Sequence, residues 1–368
     1  MIAIVDDLLP WRGSGFRFAE YDYYLKHSSS IAVYSNMSSL GFVGAFEEKD
    51  RIIAETSYGD KFRVVSNFQD LPKMEGYYCL FLNNVDSVIK LAERDGVPFA
   101  FTLYPGGGFE LENDEVLEKL KLICQHHLLH KIIVTQPKSF WVLKSVGCPD
   151  DKIEYIFGVV SESERPKSRW RNMRPRFNRL AICFASHKYD SLGRDKGLDL
   201  FVQMADRLYV QNSNIDFHVV GPWKSAIDAL SKYPAAFTIH EILPIEKLSS
   251  FFTKMDIAIF PTRKDINALG RFDGFPTATM VQAALSGCVT ISTNPLHQDT
   301  PIKANLDYLE IEPDFDSLWQ VVQELIAQPS LLRSMSSNAK MHFFENYNIE
   351  TQMAPRLRIL ESMPDTEI

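Results

Sequence analysis

Several kinds of chemistry are thinly represented in this 368-residue chain. It has five cysteines, Cys79, Cys124, Cys148, Cys183 and Cys288, an odd number without C-x-x-C spacing. Most lie in apolar runs, as small buried hydrophobes of a reducing compartment do, and not as a disulfide scaffold. No apolar run approaches the length of a membrane span, and no signal-peptide pattern precedes the first apolar strand. The expectation is a soluble cytoplasmic protein, with peripheral association at the inner membrane face or in a complex as its further reach. Positive charge is not in excess: the formal net charge is −8, which argues against nucleic acid as a partner. The H-E-x-x-H pattern of a helical metal site is missing, so His126 and His130, four apart, read as surface or helix-end histidines. Internal repeats and low-complexity segments are also missing.

What is present is ordinary globular composition, 45% hydrophobic and 23% charged, at a length that fits two domains. Short apolar runs alternate with helical periodicity, the mark of a parallel α/β sheet. Predicted strands are Ile2–Val5, Ile31–Tyr34, Phe62–Val65, Tyr78–Leu82, Phe99–Leu103, Ile132–Thr135 and Ile153–Ile156. Predicted helices include Val85–Asp95, Asp114–His127 and 137–146. A charged, Arg- and Pro-rich stretch from Ser161 to Asn178 then breaks the pattern. Its arginines, Arg165, Arg169, Arg171, Arg174, Arg176 and Arg179, fit a solvated linker or a contact to anionic lipid or diphosphate. The alternation resumes with strand Leu180–Ala185, helix Leu198–Leu208, a strand from Phe217, strand Phe237–His240 and helix Ile245–Met255. The expected division is residues 1–160, a linker at 161–179, and a second domain over 180–345.

The stretch Met255–Asn294 organises the second half. Strand Ile257–Phe260 stops at Pro261, a polar loop runs to Asp273-Gly274-Phe275-Pro276-Thr277, and helix Ala278–Leu285 leads to strand Val289–Ser292. In open α/β sheets ligands sit at the carboxyl ends of strands, where helix starts offer free N–H groups to anions. The same pattern also serves a plain strand–helix–strand repeat. Asp314-Phe315-Asp316 has the form of a metal-binding Asp-x-Asp, but at the start of helix Leu318–Ile326 its carboxylates read as caps and dipole partners.

The loop, together with Gln282-Ala283-Ala284-Leu285-Ser286-Gly287, resembles the nucleotide-sugar signature of GT-B glycosyltransferases, especially the large retaining family 4. Two features depart from it: the acidic residue stands one position further from Gln282 than usual, and a Glu is replaced by Gln. The resemblance implies an α/β GT-B fold, with two Rossmann-like domains facing across a cleft and a C-terminal helix, 346–368, packing back on the first. It implies a glycosyltransferase that moves a sugar from a nucleotide-diphosphate sugar to a carbohydrate or lipid-linked glycan, with retention and with no metal or other cofactor. Asp273 would hold the donor sugar and Gln282 the ribose. Lys196, before Gly197, would meet the diphosphate, with either Lys188 or Arg194 filling the second cationic position. Gly274, Phe275, Pro276 and Thr277 would offer their backbone to the donor. Gly13 and Gly15, in a loop flanked by Arg12 and Arg17, would let the diphosphate approach. Tyr104, Gly106 and Gly107 would line the acceptor side, Tyr104 standing where relatives carry a His. Cell-surface polysaccharide is the expected product. A binding or scaffold protein without turnover, and a nucleotide-sugar epimerase of the same fold, remain alternatives.

Overall fold

The structure is a computed structural model that describes residues 1–9, 11–41, 58–161 and 179–365. Most of the Arg-rich stretch, with Arg165, Arg169, Arg171, Arg174 and Arg176, lies outside the described residues. Of that cluster Arg179 is described, and its guanidinium Nη2 meets Asp216 Oδ1 at 2.5 Å. The chain divides into two units: Met1–Glu162 with Ile349–Ile368, and Ser163–Asn348.

Seven described strands form the first sheet: β1 (Ile2–Asp6), β2 (Ile31–Ser35), β3 (Phe62–Val64), β4 (Gly76–Leu80), β5 (Phe99–Leu103), β6 (Leu129–Val134) and β7 (Ile153–Tyr155). Their order is β3-β2-β1-β4-β5-β6-β7, and each pairing is parallel. The chain leaves β1 for one edge, returns, and then builds toward the other, so the order reverses between β1 and β4. The central strands are apolar on both faces because helices cover both, and β1, β2, β4 and β5 are buried throughout. The helix Val85–Asp95 turns Val85, Val88, Leu91 and Ala92 inward at helical spacing and ends at Gly96, whose φ of 66° suits a left-handed cap. Helix Asp114–Cys124 begins where the Asn113 side chain accepts from the amides of Glu115 and Val116. It stops three residues before the expected His127, because the Nδ1 of His126 accepts the amide of Leu128 and closes a turn.

The second sheet has six described strands: β8 (Leu180–Ala185), β9 (Ile215–Val220), β10 (Phe237–His240), β11 (Ile257–Phe260), β12 (Val289–Ser292) and β13 (Leu309–Glu310). The order is β10-β9-β8-β11-β12-β13, again parallel throughout. Ile182, Phe184, Phe201, Phe217, Trp223, Ile257 and Ile259 are core members shared by strands and helices. Both sheets are thus doubly wound, with a reversal beside the first strand of each unit. The helix Lys224–Leu230 and strand β13 were not foreseen from sequence; both are too short to show a clear period.

Helix Ile349–Glu361 belongs to the first unit. Tyr23 donates its hydroxyl to Glu350 at 2.9 Å, and Gln352 donates to the Phe157 carbonyl at 2.9 Å. Arg356, fully buried, enters the core beside Glu20. Glu20 in turn receives the hydroxyls of Tyr78 (2.5 Å), Tyr104 (3.0 Å) and Tyr24 (3.3 Å). Burial raises the Glu20 pKa, and the opposing pull of Arg356 and the three tyrosines does not fully reverse that rise.

Candidate functional site

In the second unit the order reverses between β8 and β11, and the loops that follow these strands, 186–197 and 261–277, run side by side. The approach is close. A Cβ on Gly197 would stand 2.2 Å from the carbonyl oxygen of Pro261, and the Gly197 φ is +73°. Arg263 donates its amide to the Asp195 carbonyl at 2.8 Å and its guanidinium to the Arg194 carbonyl at 3.3 Å. Within the first loop, the Asp190 carboxylate accepts the amides of Leu192 and Arg194, each at 3.0 Å, so the turn that presents Lys196 is closed on itself.

Lys196 stands at the centre. Its Nζ lies 2.6 Å from Asp273 Oδ1 and 2.5 Å from Oδ2, and over the Tyr189 ring at 4.8 Å. The residue is only 7% exposed. Burial pulls its pKa down, but Asp273, Tyr189 and Asp195 outweigh that and hold the ammonium above its ordinary value. The Lys196 ammonium, paired with Asp273, therefore sits where the two strands end.

Beside this pair, Gly274, Phe275, Pro276 and Thr277 lead into the helix Ala278–Leu285. The Phe275–Pro276 peptide is cis, and Phe275 is buried against Tyr308. Thr277 caps the helix, its hydroxyl accepting the Met280 amide. Gln282 is buried one turn on, and its side-chain amide donates to Ser249 Oγ at 2.5 Å, a structural partner that the ribose role did not anticipate. Lys188 lies over the buried Trp223 at 5.7 Å and reaches Ser225 Oγ at 3.4 Å. Arg194 is exposed. Asp314 accepts the Ser317 amide at 2.8 Å, which is the capping role read from its position.

The remaining expected residues lie in the first unit. The indole of Trp11 covers Gly13 so closely that a Cβ there would stand 2.3 Å from it. The absence of a side chain at Gly13 makes room for that ring. Gly15 opens the helix Gly15–His27. Arg17 is buried between two carboxylates, 2.8 Å from Asp6 and 2.5 Å from Asp7, which raise its pKa against the opposing effect of burial. Tyr104 is 4% exposed with its hydroxyl on Glu20, so this side chain is occupied in the core. Gly106 and Gly107 have φ of +83° and +53°, and the Phe81 ring stands where a Cβ on Gly107 would be. Phe81 itself has φ +68°, rare for a bulky residue, and carries the Arg17 guanidinium over its ring at 5.1 Å.

Sequence reasoning missed Asp195, Arg263 and Tyr189 around Lys196. Asp195 had a signal, since it abuts Lys196 in the chain. Arg263 and Tyr189 had none, because only the folded loops bring them there. Among the described residues no group of three or more His, Cys, Asp or Glu is placed to hold a metal ion, and no helix is long and apolar enough to cross a membrane.

The two doubly wound sheets are Rossmann-like, and solved structures of the GT-B glycosyltransferase fold match this chain. Anabaena Alr3699/HepE in complex with UDP matches at TM-score 0.69 and 12% identity over 98% of this chain and 99% of that one. The same protein in complex with UDP-glucose matches at 0.67 and 12%, covering all of both chains. Sucrose-phosphate synthase (tll1590) from Thermosynechococcus elongatus matches at 0.66 and 12% over 98% of each. At such identity the likeness is one of fold. No protein-family model and no curated protein matches this chain.

Proposed function

We propose that this protein is a glycosyltransferase that uses a nucleotide-diphosphate sugar. The observation that carries the reading is the buried Lys196, bonded to Asp273 where β8 and β11 end. When the bond between sugar and diphosphate breaks, negative charge grows on the leaving oxygen, and a preset ammonium lowers the energy of that charge. Asp273, freed from Lys196 by the diphosphate, becomes an acceptor for sugar hydroxyls. The match to structures holding UDP or UDP-glucose supports this class of donor.

Beyond the class, the reading extends to transfer with retention onto a carbohydrate or lipid-linked glycan of a cell-surface polysaccharide. It includes a hexosyl donor, no divalent metal, and a cytoplasmic protein, with peripheral association at the inner membrane face as its further reach. Lys188 or Arg194 joins Lys196 at the diphosphate in this reading, and the amides from Gly274 to Thr277 add donors. The commitment of Gln282 to Ser249 favours one competing reading, a sugar-nucleotide binder without turnover. Product analysis separates the two. The protein is incubated with UDP-, GDP- and ADP-sugars and a panel of glycan acceptors. Glycan product with the donor's anomeric configuration and release of nucleoside diphosphate are expected. Bound donor without product in any pairing, or free epimerised sugar, would overturn the transferase reading.

A further inference from the structure

The loop that presents Lys196 also holds a buried carboxylate with an unmet acceptor. Asp195 is 8% exposed, and its Oδ1 has no hydrogen-bond partner among the described residues. The other oxygen, Oδ2, stands 3.9 Å from Lys196 Nζ, beyond hydrogen-bond length. The Lys196 ammonium is turned to both oxygens of Asp273 instead. An ionised carboxylate oxygen only accepts, and a buried acceptor without a donor is costly enough that folded proteins rarely leave one. Burial pushes the Asp195 pKa up, the Lys196 charge pulls it down, Asp273 and Asp190 push it up again, and the Lys196 backbone amide lowers it, with a net rise. A donor at Oδ1 would relieve that cost.

None of its acidic neighbours supplies one. Asp273 is itself an acceptor, and Asp190 spends its carboxylate on the amides of Leu192 and Arg194. The diphosphate of a nucleotide sugar offers no proton at neutral pH and is repelled by a second negative charge. Its sugar is different: each ring hydroxyl is a donor, and the sugar is attached directly to the phosphate that Lys196 would meet. We propose that Asp195 is a donor-sugar recognition residue, its Oδ1 accepting a hydrogen bond from a sugar hydroxyl. Lys196 Nζ, 2.5 Å from Asp273 and 3.9 Å from Asp195, then has beside it two carboxylates that both read the sugar. The inference rests on the donor reading above and adds to it the group that distinguishes a nucleotide sugar from the bare nucleotide.

That distinction gives the test its sign. Toward a bare nucleoside diphosphate Asp195 is a repelling neighbour; toward the sugar ester it is an acceptor. Binding of UDP, GDP and ADP, and of their glucose, galactose, mannose and N-acetylglucosamine esters, is measured by calorimetry on the full chain and its variants. For the tightest ester, Asp195→Ala is expected to weaken binding about tenfold or more, the worth of a hydrogen bond to a charged group. The parent nucleotide should bind Asp195→Ala as well as before, or better. Asp195→Asn keeps an acceptor oxygen and should give a smaller loss of the same kind. It also serves as the test variant should the alanine form fail to fold. Equal weakening of nucleotide and ester would mean a loop-building or ribose role and would overturn the inference while leaving the donor reading intact. An unchanged ester affinity would overturn it too, since a buried water would then meet Oδ1. Failure of the unaltered protein to bind any of these compounds would remove the donor reading and the inference together.

Discussion

Gly197 rests against Pro261 with no room for a side chain between them: an added Cβ would stand 2.2 Å from the Pro261 carbonyl oxygen. The loops after β8 and β11 can therefore close side by side, and Lys196 can reach Asp273. Gly197→Ala meets two penalties, the positive φ and the backbone clash. It should lose about 2–4 kcal/mol of stability. Urea unfolding reads the loss, and a midpoint equal to that of the unaltered protein would show that the loops yield freely.

Lys196→Ala should lower kcat/KM by about 2–4 kcal/mol of transition-state stabilisation, far more than a solvated loop lysine contributes. The measurement is kcat/KM beside the melting temperature of the same variant. Turnover at the normal rate would remove Lys196 from the reaction.

Transfer should continue in excess chelator. In the proposed reading Lys196, with Lys188 or Arg194 on the same loop, would supply the positive charge that a divalent ion supplies in other transferases. Loss of transfer in chelator, restored by manganese, would contradict this.

Asp95 should give the protein a component of acid sensitivity. The Arg94 guanidinium lowers its pKa most, burial opposes, and the Tyr77 hydroxyl and Met74 amide lower it further, to about 2 from 3.8. A carboxylate whose folded pKa is depressed adds stability above its unfolded value and loses it as pH falls through the folded one. The Asp95 contribution should thus fade between pH 3.8 and about 2. Asp95→Asn should be less stable than the parent at neutral pH by about 1–2 kcal/mol, with the gap closing across that window. A gap that does not change with pH would refute the coupling.

Arg356→Met leaves Glu20 buried beside three tyrosines without its cation, and should cost about 3–5 kcal/mol. Adding Glu20→Leu should recover part of that, because an apolar pair needs no counter-charge. Thermal unfolding of the single and double variants decides the matter; a double variant no better than the single would mean the tyrosines, not the charge, are at stake.

Much of the fold was legible because the strands are buried on both faces and read as short apolar runs. Ile257–Phe260 and Val289–Ser292 stand where the runs predict. Lys196 and Asp273, 77 positions apart, meet because their loops follow β8 and β11, the strands at the reversal in strand order. What the sequence could not show is what else each residue touches. Gln282 also donates to Ser249, and the Trp11 ring also lies against Gly13, contacts that no motif announces. Tyr104 follows a strand as an active-site residue would, yet Glu20, 84 positions earlier, takes its hydroxyl. Side-chain partners distant in the chain leave no period or spacing to read.

The return of Ile349–Glu361 to the first unit also sets an order of events during synthesis. Residues of the second unit leave the ribosome before Arg356 does, although Glu20 has been waiting since the first turns of the chain were made. The unit that begins first is therefore completed last. Until the closing helix arrives, Glu20 should stay solvated, and its sheet should remain open to proteases that the second unit already resists. Ribosome-stalled chains ending before and after residue 361 would show this as protection of the first unit that appears only in the longer chain. Equal protection in both would mean that the seven strands hold without their last helix.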